Sequence, residues 1–190
     1  MGSLLADLRG RYAARGSGRG PRPDGGSGPG GGSGPAGPPG FWTVLAAWGP
    51  CGFSPVAPGT VGTAGAVPLA WAVARLAPAT AALVGLALLA LAVVATERAG
   101  RHWQVVDASP IVIDEVIGYL VTMAFVPFTW PAAAAGFLLF RACDILKPWP
   151  ASAFDRIENA LGVVLDDVAA GLWAGAGLWL LARFAPGVLS

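Results

Sequence analysis

The chain has 190 residues, of which 55% are hydrophobic and 12% are charged, and its mean hydropathy is +0.62. Ordinary soluble domains carry about 25% charged residues, so this composition excludes a typical soluble protein and predicts an integral membrane protein. The formal net charge is +1, and we expect no nucleic-acid partner.

Residues 1–40 form a segment of low sequence complexity. They contain 14 of the 28 glycines, together with five arginines and several prolines. Such a segment cannot bury enough apolar surface to offset its chain entropy, and we predict a disordered tail, with contact to anionic lipid as an alternative role. No apolar region of the signal-peptide type stands directly behind these arginines, so a cleaved secretory signal is not expected. Residues 41–190 are predicted to form one membrane-embedded domain.

Five apolar stretches follow the tail, and all of them have the composition of helices. Prolines, glycines or charged residues separate them. We therefore predict an all-α fold, a polytopic membrane bundle of about four to five apolar helices. The first stretch is shorter and is interrupted by glycines, which also fits a re-entrant segment. The stretches are residues 62–77, 79–95, 111–127, 131–146 and 164–184.

Short loops between these stretches predict antiparallel neighbours. This arrangement places the carboxylates of the apolar segments on one side of the bilayer. Most basic residues lie on that same side, namely Arg98, Arg101, Lys147 and Arg156. Because basic loops stay in the cytoplasm, we predict that the carboxylates face the cytoplasm.

A proline- and glycine-rich loop, residues 54–63, precedes the first apolar stretch. Its glycines can direct backbone N–H groups towards an anion at a helix N-terminus. The alternative is an ordinary turn in which Thr60 or Thr63 caps the helix.

Two carboxylate pairs stand at the start of apolar stretches, Asp114-Glu115 and Asp166-Asp167. One carboxylate at such a position is an ordinary partner of the helix dipole. Two adjacent carboxylates repel each other unless a cation neutralises them, and charges at membrane depth usually mark function. Magnesium takes oxygen ligands, often carboxylates, waters and a substrate phosphate, so Mg²⁺ is the predicted cofactor.

A third charged group lies at the end of the fourth stretch, where Arg141, Asp144 and Lys147 follow one another at a spacing of three. This spacing puts them on one helix face, which suits either phosphate binding or an ordinary series of salt bridges. The cysteines, Cys51 and Cys143, and the single histidine, His102, cannot form a zinc site or a disulfide framework. Any metal is therefore expected to be held by oxygen.

These motifs, in this order, resemble the phosphatidylglycerophosphatase A family of bacterial membrane enzymes. The similarity covers roughly residues 48–184. It implies magnesium-dependent hydrolysis of phosphatidylglycerophosphate to phosphatidylglycerol, a step before cardiolipin, at the cytoplasmic membrane. The matching motifs are Pro58-Gly59-Thr60-Val61-Gly62-Thr63, Ile113-Asp114-Glu115-Val116-Ile117-Gly118, Phe140-Arg141 with Asp144-Ile145-Leu146-Lys147-Pro148-Trp149-Pro150, and Leu165-Asp166-Asp167-Val168-Ala169-Ala170-Gly171.

A single histidine argues against phosphatases that form a phosphohistidine, and the chain has no Asp-x-Asp nucleophile pair. Whether one carboxylate instead acts as nucleophile or base stays open. The alternative function is a cation-coupled transporter with a carboxylate ion site, and the oligomeric state is not predicted. The predicted catalytic and metal-binding residues are Asp114, Glu115, Asp144, Asp166 and Asp167. The predicted substrate-binding residues are Arg141, Lys147, Pro58, Gly59, Thr60, Gly62 and Thr63.

Overall fold

A computed structural model describes residues 38–189. Within this range the chain forms seven α-helices and no β-strand, which confirms the predicted all-α fold. Residues 1–37, most of the predicted disordered tail, lie outside the described residues. The helices are α1 Phe41–Ala46, α2 Pro58–Val73, α3 Pro78–Trp103, α4 Ile113–Met123, α5 Trp130–Leu146, α6 Ala151–Phe154 and α7 Ala160–Phe184, with 3-10 turns at Cys51–Phe53 and Pro186–Val188.

Two of these helices are long and apolar enough to cross a membrane. Helix α3 has 26 residues and α7 has 25, so each is about 38 Å long and exceeds the hydrocarbon core of about 30 Å. The apolar segment of α3 is mostly exposed on the protein surface, whereas more than half of the α7 segment is buried inside the bundle. An exposed apolar surface of this size is typical of a helix that contacts lipid or another protein.

The prediction of four to five membrane-spanning helices is larger than the two that pass this test among residues 38–189. Helices α2 and α5 have 16 and 17 residues, about 25 Å each. Helix α4 has only 11 residues although the apolar stretch covers residues 111–127. Pro110 and Pro127 lie at the two ends of that stretch, and each proline disfavours helical backbone at the residue before it. Two short helices, α1 and α6, were not predicted.

Capping residues define where the main helices begin. Thr129 and Asn159 are the N-caps of α5 and α7, and each side-chain oxygen accepts a hydrogen bond from the backbone N–H three residues later, at 3.1 and 2.9 Å. Helix α2 instead begins after Ala57, which has left-handed backbone and no side-chain cap. The alternative interpretation of Thr60 or Thr63 as the cap of α2 is therefore wrong.

Helices α4 and α7 cross where two glycines face each other. A Cβ atom added to Gly171 would lie 2.4 Å from the carbonyl oxygen of Gly118. The Thr122 hydroxyl spans the same crossing, since its oxygen lies 3.0 Å from the Gly118 carbonyl oxygen and 3.3 Å from that of Gly171. The two backbones can approach this closely only because neither residue has a side chain.

Replacing Gly171 by alanine is expected to destabilise the protein. The new Cβ would meet backbone atoms of α4 that cannot rotate away, and overpacking of this kind costs about 1–3 kcal/mol, equivalent to a fall in Tm of about 5 °C. Thermal unfolding in detergent measures the change. Gly85→Ala is the matched control because a Cβ there has no neighbour within 4 Å. An equal Tm for both variants would contradict the close crossing.

Candidate active site

The glycine crossing brings two carboxylates together. Asp114 lies four residues before Gly118 on α4, and Asp167 lies four residues before Gly171 on α7. Residues four apart share one helix face, one turn apart. The close contact of the two backbones at these glycines therefore sets Asp114 opposite Asp167, which lies 53 positions further along the sequence.

Asp114, Glu115 and Asp167 form a cluster that we call the carboxylate triad. Each residue contributes a carboxylate oxygen, and these three atoms all lie within 4.8 Å of one another. Asp114 and Asp167 are only 5% and 4% exposed. The backbone N–H of Glu115 donates to Asp114 Oδ1 at 3.1 Å, whereas Glu115 Oε2 is buried and has no hydrogen-bond partner among the described residues.

The carboxylate triad has the chemistry of a metal site. Three buried negative charges at this separation repel strongly, and an unpartnered buried carboxylate oxygen is costly. A cation bound between the three oxygens would relieve both costs. The donor set contains oxygen alone, which suits a hard divalent cation such as Mg²⁺ or Ca²⁺. The triad could therefore hold a metal ion, and it contains three of the five predicted ligands, Asp114, Glu115 and Asp167.

Arg141 connects Asp144 to the carboxylate triad. Its Nη1 atom lies 2.6 Å from Asp144 Oδ2 and 3.8 Å from Glu115 Oε1, and these side chains are 15–17% exposed. The Nε atom of Arg141 is buried without a hydrogen-bond partner in the described part of the chain. Asp144 also acts electrostatically on Asp167 and Glu115. Asp144 thus lies beside the triad but is paired with a cation of its own helix.

Lys147 connects Asp166 to a second aspartate. Its ammonium lies 2.5 Å from Asp166 Oδ2 and also contacts Asp155 Oδ1. Burial alone would lower the pKa of Lys147, but the hydrogen bonds and charges of the two carboxylates outweigh burial and raise it above its ordinary value. The lysine therefore stays charged at neutral pH. Asp166 and its neighbour Asp167 point to different partners, because adjacent helical residues do not share a face.

Gly59 is the residue of the predicted anion-binding loop that lies at the carboxylate triad. A Cβ atom on Gly59 would be 2.1 Å from Glu115 Oε1 and 3.1 Å from Arg141 Nη1. Two other residues of the loop have packing roles, since Gly62 lies against Val112 and the buried Thr63 hydroxyl donates to the Gly59 carbonyl at 2.9 Å.

The two remaining loop residues lie at the same end of α2. Pro58 is the first residue of the helix, and Thr60 is half-buried beside Gly59. Both are thus chain neighbours of Gly59, whereas Gly62 and Thr63 are buried where α2 packs into the bundle.

Sequence reasoning missed two aspartates near the site. Asp155 ends the short helix α6 and contacts Lys147. Asp107, in the loop before α4, interacts electrostatically with Lys147, Asp155 and Asp144. Both occur singly in loops and not at the start of an apolar stretch. Neither therefore shows the costly placement of a carboxylate in an apolar segment that indicated the other acids. The spacing of Lys147 and Asp155, eight residues apart across a proline turn, carries no helical signal.

Most of the chain is similar to proteins of one known family. A model of the family described as Phosphatidylglycerophosphatase A matches residues 44–182. Phosphatidylglycerophosphatase A of Escherichia coli (strain K12) is 34% identical over 152 residues, which cover 78% of this chain and 88% of the relative. The protein of the same name from Haemophilus influenzae is 43% identical over 70 residues, or 36% of this chain and 43% of the relative.

A third relative carries a different substrate in its name. It is a Bacteroides thetaiotaomicron protein, provisionally named a phosphatidylinositol-3-phosphatase, with 35% identity over 146 residues, or 72% of this chain and 91% of the relative. No solved structure matches the chain. The matched residues, 44–182, include all seven of the acidic and basic side chains around the triad that the sequence predicted as site residues or phosphate ligands.

Proposed function

The chain belongs to the phosphatidylglycerophosphatase A family, and on that premise we propose that it hydrolyses the phosphomonoester of phosphatidylglycerophosphate to phosphatidylglycerol and phosphate. Membership makes the chain a phosphatase and confirms the predicted resemblance. The observation that carries the proposal is the buried carboxylate triad, with Arg141 beside it and with Lys147 paired to Asp166, the chain neighbour of Asp167. The transporter alternative finds no support among the relatives.

In this proposal Asp114, Glu115 and Asp167 hold Mg²⁺. The fit rests on three carboxylate oxygens within 4.8 Å of one another and on a Glu115 oxygen without a partner in the described structure. When bound, the ion would polarise a phosphoryl group and would lower the pKa of water. Asp144 and Asp166 complete the acidic set, and their ion pairs orient Arg141 and Lys147.

Arg141 and Lys147 bind the phosphate of the lipid. The planar guanidinium of Arg141 can donate two parallel hydrogen bonds, and its unpartnered Nε is a donor available for this purpose. Lys147 contributes a compact positive charge that stays protonated. The α2 N-terminus adds the backbone N–H of Gly59, whose missing Cβ leaves room for the Glu115 carboxylate and the Arg141 guanidinium. These contacts favour a dianionic phosphomonoester over a diester.

We place the protein as a multi-pass protein in the bacterial cytoplasmic membrane, with the active site at the cytoplasmic face. Side chains close to Lys147 support a location at the lipid surface, since Ile145, Leu146 and Trp149 are 72–78% exposed. Exposed apolar groups of this size usually contact lipid or protein, and tryptophan is typical of the membrane interface. The acyl chains of the substrate would then remain in the bilayer while its phosphate reaches the triad.

The test is phosphate release by the purified protein in detergent micelles that contain phosphatidylglycerophosphate. We expect release with Mg²⁺, none above background after chelation, and recovery when Mg²⁺ is restored. Phosphatidic acid and phosphatidylinositol 3-phosphate, presented in the same micelles, are expected to react at least about tenfold more slowly, since one misplaced polar contact costs about 1.4 kcal/mol. Release that is insensitive to chelation, or absent with phosphatidylglycerophosphate, would overturn the proposal.

A further inference from the structure

Lys147 is held by two carboxylates with different environments. Asp166 is buried, with 8% of its side chain exposed, whereas the Asp155 side chain is 48% exposed and Lys147 is intermediate at 33%. The ammonium therefore lies between a carboxylate inside the bundle and one near its surface. Asp155 comes from a different element, because it caps the C-terminus of α6 while Asp166 lies on α7.

The backbone of Lys147 adds an independent observation. Its φ of 45° and ψ of 60° are left-handed, and it ends α5 directly before Pro148. Glycine or asparagine normally occupies such a position, since other residues cost about 1–2 kcal/mol there. The left-handed backbone does not favour a lysine at this position. The contacts of its side chain therefore explain why a lysine stands here. The turn directs the ammonium towards Asp155 and Asp166.

The number of lysine protons limits what the ammonium can do. It has three N–H donors and no acceptor, and the two aspartates take two of them. One donor remains for a phosphate oxygen. Without Asp155 the ammonium would keep one ion-pair partner among the described residues, the buried Asp166, while Asp107 acts on it through charge alone. It would then move inward towards Asp166, because an unpaired buried carboxylate is costly. That movement would withdraw the third donor from the substrate.

We propose that Asp155 is a positioning residue for the phosphate-binding lysine. It holds Lys147 outward from Asp166 so that one N–H stays directed at the phosphomonoester. This role rests on the proposed function. It assigns Asp155 no contact with the substrate, so its loss should affect substrate binding more than the bond-breaking step.

The experiment compares Asp155→Asn with Asp155→Glu in the micelle assay. We expect Asp155→Asn to raise KM about tenfold and to change kcat less than twofold, and Asp155→Glu to restore KM to within about threefold of the original value, since a charged partner is retained. Glu97→Gln is the matched control, because it breaks a similarly exposed ion pair, Glu97 with Arg101 at 2.6 Å, and it should leave both constants unchanged. Tm of each variant monitors folding. Asp155→Ser replaces Asp155→Asn if the latter does not fold.

A double-mutant cycle with Lys147→Gln separates positioning from a general structural role. In that background, Asp155→Asn is measured in single turnovers with enzyme in excess of substrate but below saturation, so that the rate reports kcat/KM. It should change this rate less than twofold because its partner is absent, against about tenfold in the original protein. An unchanged KM for Asp155→Asn would overturn the inference, and so would an undiminished effect in the Lys147→Gln background. If the unaltered protein releases no phosphate, the proposed function itself fails. These two failures are distinguishable because the unaltered protein is measured in the same assay.

Discussion

Asp167→Asn is expected to lower kcat/KM for phosphatidylglycerophosphate by about a thousandfold or more, the largest effect among the predictions, since each tenfold loss corresponds to about 1.4 kcal/mol of transition-state stabilisation. Asp167 is the member of the carboxylate triad that α7 contributes, and its side chain is 4% exposed. Replacing it with the isosteric amide removes one of three anionic ligands and leaves the packing volume unchanged. Phosphate release at saturating Mg²⁺ measures the loss.

The same substitution, Asp167→Asn, should not lower the stability of the metal-free protein although it lowers activity. Without metal, Asp167→Asn relieves repulsion among three buried carboxylates, so its Tm in the presence of a chelator should equal or exceed that of the unaltered protein. Adding Mg²⁺ should raise the Tm of the unaltered protein, because a ligand that binds only the folded state stabilises it, and should leave that of Asp167→Asn nearly unchanged. An equal Mg²⁺-dependent rise in both proteins would show that Asp167 binds no metal.

Gly59→Ala is expected to lower kcat/KM about a hundredfold, comparable to the loss of one catalytic hydrogen-bond donor, with little change in Tm. The new Cβ would lie 2.1 Å from Glu115 Oε1 and 3.1 Å from Arg141 Nη1. Both atoms are the far ends of flexible side chains, so they can move aside at small cost to folding. That movement would displace one metal ligand and one phosphate ligand together, and displacements of about 1 Å are costly for catalysis.

The control for this substitution is Gly177→Ala on α7, where a Cβ would make only ordinary contacts at 3.8 and 3.9 Å with Leu139. It should keep full activity, which separates the position of Gly59 from the general effect of glycine replacement in a helix. Activity retained by Gly59→Ala would show that Glu115 and Arg141 are not needed in the positions that they occupy. A large fall in Tm would instead indicate that Gly59 serves packing.

The sequence predicted which segments are helical better than it predicted where each helix ends. The stretches 131–146 and 164–184 closely match α5 Trp130–Leu146 and α7 Ala160–Phe184, because hydropathy and proline boundaries are local properties. The stretch 79–95 ended too early, since α3 continues through charged residues to Trp103. Charged residues end an apolar stretch, but a helix can continue through them. Hydropathy therefore cannot show where a helix ends when it extends beyond its apolar stretch.

The candidate site residues show the same division between local and tertiary information. The sequence alone determined that five carboxylates lie in or beside apolar segments, where each needs a partner wherever the chain places it. Only the tertiary structure sorted them into the triad, the Asp144–Arg141 pair and the Asp166–Lys147–Asp155 chain. That sorting follows from the crossing of α4 and α7 at two glycines, a long-range contact whose partners no local pattern identifies. The sequence did not indicate Asp155 for the same reason, since its proposed role depends on its contact with Lys147 and not on its neighbours in sequence.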